Sequence, residues 1–135
     1  MEKEKSIILV VDDDHRIVEL LRVNLEAYNY KVDVAYDGEQ AIAKVWNTGM
    51  DRPDLIILDL MLPKKNGYEV AKEIKGRKEI SNIPIIMLTA KDQPLDKIEG
   101  LIGSEVDYYL TKPIDIDDLL IHVLKALSSK KQPVK

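Results

Sequence analysis

The chain has 135 residues, 45% of them hydrophobic and 33% charged, with a net charge of −4 and no cysteine. A chain of that length forms one globular domain that buries roughly two thirds of its unfolded surface, without a disulfide or structural metal. Interspersed charges, a charged MEKEKS start and no run of membrane-span length lead us to expect a cytoplasmic protein with no membrane contact and no direct nucleic-acid binding.

The first apolar run, IILVV, stops at Asp12-Asp13-Asp14. Ile17, Leu20, Leu21, Leu25 and Tyr28 then repeat at helical spacing, with one of the acidic residues as the cap. Lys31 to Tyr36 is short and alternates, with Val32 and Val34 on one side, as an edge strand does. Asp37-Gly38 turns the chain into a second helix bearing Ile42, Val45 and Trp46, which Asn47-Thr48-Gly49 ends.

Pro53 precedes the run Leu55–Leu58, which has no polar alternation and suits a strand buried on both faces. That run stops at Asp59, where a carboxylate is costly unless something compensates it. An isolated Asp after a strand is more often a cap or a turn former, so the position needs support from elsewhere. Asn66-Gly67 opens a third helix with Val70, Ala71 and Ile74 inward, running to about Lys78. Pro84 opens the strand IIML, which ends at Thr89-Ala90. Leu95, Ile98, Leu101 and Ile102 mark a fourth helix, and a short strand around Asp107 to Leu110 ends at Thr111-Lys112-Pro113. Leu119, Leu120, Val123, Leu124 and Leu127 mark the last helix, and the polar SSKKQPVK follows.

Five strand patterns alternating with five helix patterns predict an α/β fold: one doubly wound, five-stranded parallel sheet with helices on both faces. The short alternating second strand reads as an edge, which favours the flavodoxin-like order 2-1-3-4-5. In such a sheet the strands' C-terminal ends bring Asp12-Asp13, Asp59, Thr89 and Lys112 to one rim. Three carboxylates there repel one another unless a cation sits among them, and hard oxygen ligands without His or Cys suit Mg²⁺. Thr89 offers a hydroxyl donor and Lys112 a positive charge for a phosphate. Together these are the parts needed to make an aspartyl phosphate.

ILVVDD, LIILDLMLPKKNGYEV, PIIMLTA and YLTKP occur in that order. With them the chain resembles a response-regulator receiver domain of two-component signalling, over about Ser6 to Leu127. The resemblance implies that Asp59 accepts a phosphoryl group from the phosphohistidine of a sensor histidine kinase or phosphotransfer protein. It implies that Asp13, Asp59 and the Met61 backbone carbonyl ligate Mg²⁺ directly, while Asp12 acts through water. By the same resemblance Thr89 and Lys112 bind the phosphoryl oxygens, and Thr89 with Tyr109 forms the switch. Met61 and Lys91 line the path of the water that ends the phosphorylated state, and the Lys112–Pro113 bond is cis. Residues 1–128 form the receiver and 129–135 a polar tail or the start of a linker. The implied output is a switched face of fourth helix, fifth strand and last helix that controls a partner protein or output domain, with room for a phosphorylation-dependent homodimer. The domain is a signalling module that assists its own phosphorylation and dephosphorylation, not an enzyme acting on a separate substrate.

The match has gaps. Counting back from Lys112 puts Glu105 and Val106 where the family has a Gly-Ala pair, while counting forward from Asp96 leaves one residue too many, so an insertion is expected in the loop before the fifth strand. Tyr108 stands where many dimerising receivers carry an acid, and His122 where the winged-helix-regulator subfamily carries Arg. Asp14 and His15 are read as residues of the helix start, with His15 as a candidate outer contact of the rim. The alternative is a receiver-like binding module that signals without phosphorylation, but such a module has little reason to keep a costly charged cluster. A phosphatase would want an acid two residues after the nucleophile, where Met61 stands. A flavin-binding protein would want a phosphate loop where Asp12-Asp13-Asp14 would repel a phosphate.

Overall fold

Side chains alternate along a strand, so a strand that is apolar at every position must be covered on both faces. The first run obeys this: Ile8 and Val10 enter one core, Leu9 and Val11 the other, and all four are fully buried. The structure, a computed structural model, describes residues 5–46, 52–90 and 106–130. Its elements are β1 (Ile7–Val11), α1 (His15–Ala27), β2 (Lys31–Ala35), α2 (Gly38–Val45), β3 (Leu55–Asp59), α3 (Gly67–Lys75), β4 (Ile85–Thr89), β5 (Tyr108–Thr111) and α4 (Ile116–Lys130). The strands form one parallel sheet in the expected order β2-β1-β3-β4-β5.

Four helices lie among the described residues, and α4 is the last helix of the sequence reading. The predicted fourth helix, the Asn47-Thr48-Gly49 stop, Lys91 and the loop expected to carry an insertion lie outside the described residues. One core packs Ala41 and Val45 of α2 and Val70, Ala71 and Ile74 of α3 against Leu9, Ile56, Leu58, Ile85 and Met87. The other packs Val18, Leu21 and Leu25 of α1 and Leu119, Val123 and Leu127 of α4 against Ile8, Val10, Leu55, Ile57 and Ile86. Each such valine, leucine, isoleucine or methionine side chain contributes roughly 1.5–3 kcal/mol by leaving water.

Three helices begin at the strands' C-terminal side, each with a side-chain cap. Asp14 accepts from Arg16 N at 2.9 Å, Asp37 accepts from Gln40 N at 2.8 Å, and Asn66 forms a capping box with Glu69. The far end of the sheet is tied by Lys75. Its Nζ donates to Ser81 O at 3.0 Å and Ile83 O at 2.8 Å, and lies 3.7 Å from Asp107 Oδ2. The same Asp107 oxygen accepts from Ile85 N at 2.8 Å.

Some expectations shift. In α1 the inward residue is Val18, while Leu20 and Tyr28 are 44% and 60% exposed, and Tyr28 is the C-cap rather than a helical residue. In α4, Leu124 faces solvent and Ala126 is buried. α3 ends at Lys75 with Gly76 as its cap, short of Lys78, and β5 runs one residue later than expected.

Candidate functional site

Because all five strands run the same way, their C-terminal ends deliver side chains to one rim. Asp12 follows β1, Asp59 ends β3, Thr89 ends β4 and Lys112 follows β5. Asp12 is fully buried, Asp59 and Thr89 nearly so, and Asp13 is exposed. One carboxylate oxygen from each of Asp12, Asp13 and Asp59 lies within 4.8 Å of the others. Lys112 Nζ sits 3.0 Å from Asp12 Oδ2 and 3.4 Å from Asp59 Oδ2.

The backbone around these groups is held closely. Asp14 N donates to Asp12 Oδ1 at 2.9 Å and Met61 N to Asp59 Oδ1 at 3.3 Å. Lys112 N donates to Thr89 O at 2.8 Å, and the Lys112–Pro113 bond is cis. α3 starts very close to β3: a Cβ on Gly67 would fall on the Asp59 carbonyl oxygen and 2.8 Å from Leu60 Cα. Only glycine permits that approach.

Burial, then the neighbouring charge of Asp12, pushes the Asp59 carboxyl up to about 6, against the opposing pull of Lys112. Burial works to lower the Lys112 pKa, but its contact with Asp12 and the charges of Asp59 and Asp12 together leave it raised. Asp12 Oδ2 accepts no aligned hydrogen bond, so its short contact with the ammonium is one of charge. A buried carboxylate oxygen without an aligned donor, two further carboxylates and no nitrogen or sulfur donor fit a hard divalent cation such as Mg²⁺.

Asp12, Asp13, Asp59 and Lys112 are thus brought together, with Thr89 on the adjacent strand end. Met61 is 62% exposed. Tyr108 and Tyr109 take opposite faces, as alternation requires. Tyr109 packs on the α2–α3 core, whereas Tyr108 joins the other core and meets the His122 ring edge-on at 5.1 Å. Asp14 is the α1 cap, and His15 stacks on Tyr36 with centroids 4.3 Å apart. Sequence reasoning missed a contact of Asp37 and Gly38 with Lys64 and Lys65. The only signal was the Asp-Gly dipeptide, which reads as a turn.

A five-stranded parallel sheet with an acidic pocket and a lysine at its C-terminal rim defines a flavodoxin-like α/β domain whose ligand site lies at the strands' carboxyl ends. The response regulator receiver domain family matches residues 8–124 of the chain. The chain is 50% identical over 107 residues to the alkaline phosphatase synthesis transcriptional regulatory protein PhoP of Bacillus subtilis (strain 168), covering 78% of this chain and 42% of PhoP. It is 43% identical over 116 residues to the DNA-binding dual master transcriptional regulator RpaA of Synechocystis, covering 86% of this chain and 46% of RpaA. Among solved structures, the signal receiver domain of a signal transduction histidine kinase from Syntrophus aciditrophicus superposes with a TM-score of 0.84 at 33% identity, covering 96% of each chain. The chain belongs to the response regulator receiver family, a signalling domain of two-component systems. It spans less than half the length of the two curated relatives. No helix among the described residues is long and apolar enough to cross a membrane.

Proposed function

We propose that this chain is a phospho-acceptor receiver in which Asp59 takes a phosphoryl group from the phosphohistidine of a sensor histidine kinase or phosphotransfer protein. The observation that carries the reading is the seat of Asp59. It is a buried carboxylate at a strand end, 3.4 Å from a lysine ammonium and beside two further carboxylates. An Asp59 oxygen attacks phosphorus while the P–N bond to the donor imidazole breaks. The bonding pair stays on the imidazole nitrogen, which then takes a proton. Lys112 balances the charge on the transferred phosphoryl oxygens, and the Thr89 hydroxyl donates to one of them. Asp13, Asp59 and the Met61 carbonyl would hold Mg²⁺, with Asp12 acting through water. When bound, the ion supplies charge neutralisation at the reacting phosphate.

Residues 1–128 constitute the receiver and 129–135 a polar tail or the start of a linker, of which the first two residues still belong to α4, in a cytoplasmic protein. The output is a partner protein or attached domain, and phosphorylation favours a homodimer. PhoP and RpaA are named as transcriptional regulators, so any DNA contact is assigned to the output part rather than to this chain. Incubation with Mg²⁺ and acetyl phosphate should add one phosphate by intact-mass spectrometry, and Asp59→Asn should abolish it. Equal labelling of the variant would refute the assignment.

A further inference from the structure

We infer that the β2–α2 junction is a positioning element for the metal and phosphoryl site: it sets the gap between the two loops that supply the proposed ligands. The inference rests on the metal reading above. One loop follows β1 and carries Asp12 and Asp13; the other follows β3 and carries Met61. The junction touches both. Tyr36 stacks on His15 at an interplanar angle of 13°, which fixes it to the start of α1 two residues beyond Asp13. On the other side, Asp37 Oδ2 lies 3.7 Å from Lys64 Nζ. A Cβ on Gly38 would fall on the Lys65 carbonyl oxygen and 2.6 Å from Lys65 Cβ.

The second loop has few ways to yield. Leu62 is buried in the α2–α3 core, Gly67 N donates to Leu60 O at 2.9 Å, and Asn66 is locked in its capping box. Lys64 holds a left-handed backbone, φ 66°, where L side chains are disfavoured. Any atom added at Gly38 therefore displaces the segment between Met61 and Asn66 rather than a flexible side-chain tip. Asp37 has two separate jobs. Its Oδ1 caps α2, and its Oδ2 faces Lys64. Asparagine can keep the first and lose the charge of the second.

The test is calorimetric titration of Mg²⁺ into the wild-type chain and Asp13→Ala, Gly38→Ala, Asp37→Asn and Gly76→Ala variants, with circular dichroism to confirm folding. Gly76→Ala is the control, since its Cβ would sit 3.2 Å from Lys72 O, in the C-cap of α3 and away from the junction. Gly38→Ala should weaken Mg²⁺ binding about tenfold, as loss of a ligand-orienting neighbour does, and Asp37→Asn by about threefold. Acetyl phosphate labelling of Gly38→Ala should recover its wild-type rate at saturating Mg²⁺, which a damaged fold would not allow. If Gly38→Ala fails to fold, Asp37→Asn carries the test, because its helix cap is preserved. The inference is overturned if Asp13→Ala loses Mg²⁺ while the folded junction variants stay within about twofold of wild type, or if Gly76→Ala loses as much as they do. Unchanged affinity in Asp13→Ala would instead remove the metal reading, and the inference with it.

Discussion

Asp59→Asn should make the metal-free protein more stable at neutral pH, although it removes the residue on which the site is built. The unfolded Asp59 titrates near 3.8 and the folded one near 6, because burial and Asp12 oppose its charge. Between those values the native state holds a proton that the unfolded state has released, so stability falls as pH rises through the window. Below about 4 the penalty is absent, and above about 6 it is full. One pKa unit corresponds to about 1.4 kcal/mol, so the shift amounts to roughly 2–3 kcal/mol at neutral pH. In a domain of this size that moves the melting temperature by roughly 10 °C. Thermal melts in EDTA from pH 4 to 8 should show the variant's advantage growing through pH 4–6 and then levelling. Adding Mg²⁺ should narrow the gap by stabilising the wild type, by about 2.7 kcal/mol at a hundredfold excess over Kd. An advantage independent of pH, or none at pH 7.5, would show that Asp59 is not held in a destabilising environment.

Four other outcomes follow from the placement of single residues. Met61→Asn should shorten the phosphorylated lifetime by supplying an amide that orients water, and phosphate release followed over time reads this; equal decay would acquit position 61. Tyr109→Ala should uncouple Asp59 phosphorylation from partner affinity while leaving labelling intact, whereas Tyr108→Ala should alter only the contact surface beside His122. Binding of a phosphorylation-dependent partner to both variants separates these roles, and undiminished coupling in Tyr109→Ala would exclude it as the switch. Ile57→Ala, which empties a fully buried position in the central strand, should cost about 2–5 kcal/mol in urea unfolding, and a cost below about 1 would contradict its place in the core.

The central strands were legible because a parallel sheet buried on both faces leaves no polar alternation to misread. IILVV and LIILD suit such strands in length and composition, and the predicted topology then brings their carboxylate ends to one rim. The phase of α1 was harder to read. Ile17, Val18, Leu20, Leu21, Val23 and Leu25 surround much of that helix, so several stripes satisfy helical spacing. Packing against Ile8 and Ile57 selects Val18, Leu21 and Leu25. α4 posed the same problem, where small Ala126 is inward and larger Leu124 is not. The contact of Gly38 with Lys65 was invisible for another reason. It joins segments distant in sequence through a close backbone approach, which leaves no periodicity.

Lys75 gives the sheet a fixed end. Its ammonium ties the close of α3 to the segment before β4, while Asp107 ties the start of β5 to the first residue of β4. At the other end Thr89 pairs in register with Thr111, and its carbonyl accepts from Lys112 N. The β4–β5 pair is thus pinned at both ends, and β3 holds β4 from its other side as far as Leu88. A displacement of Thr89 has its first neighbours in Thr111, the register partner, and in Lys112, whose amide its carbonyl holds, so both strand ends and the approach to α4 would answer it as one unit.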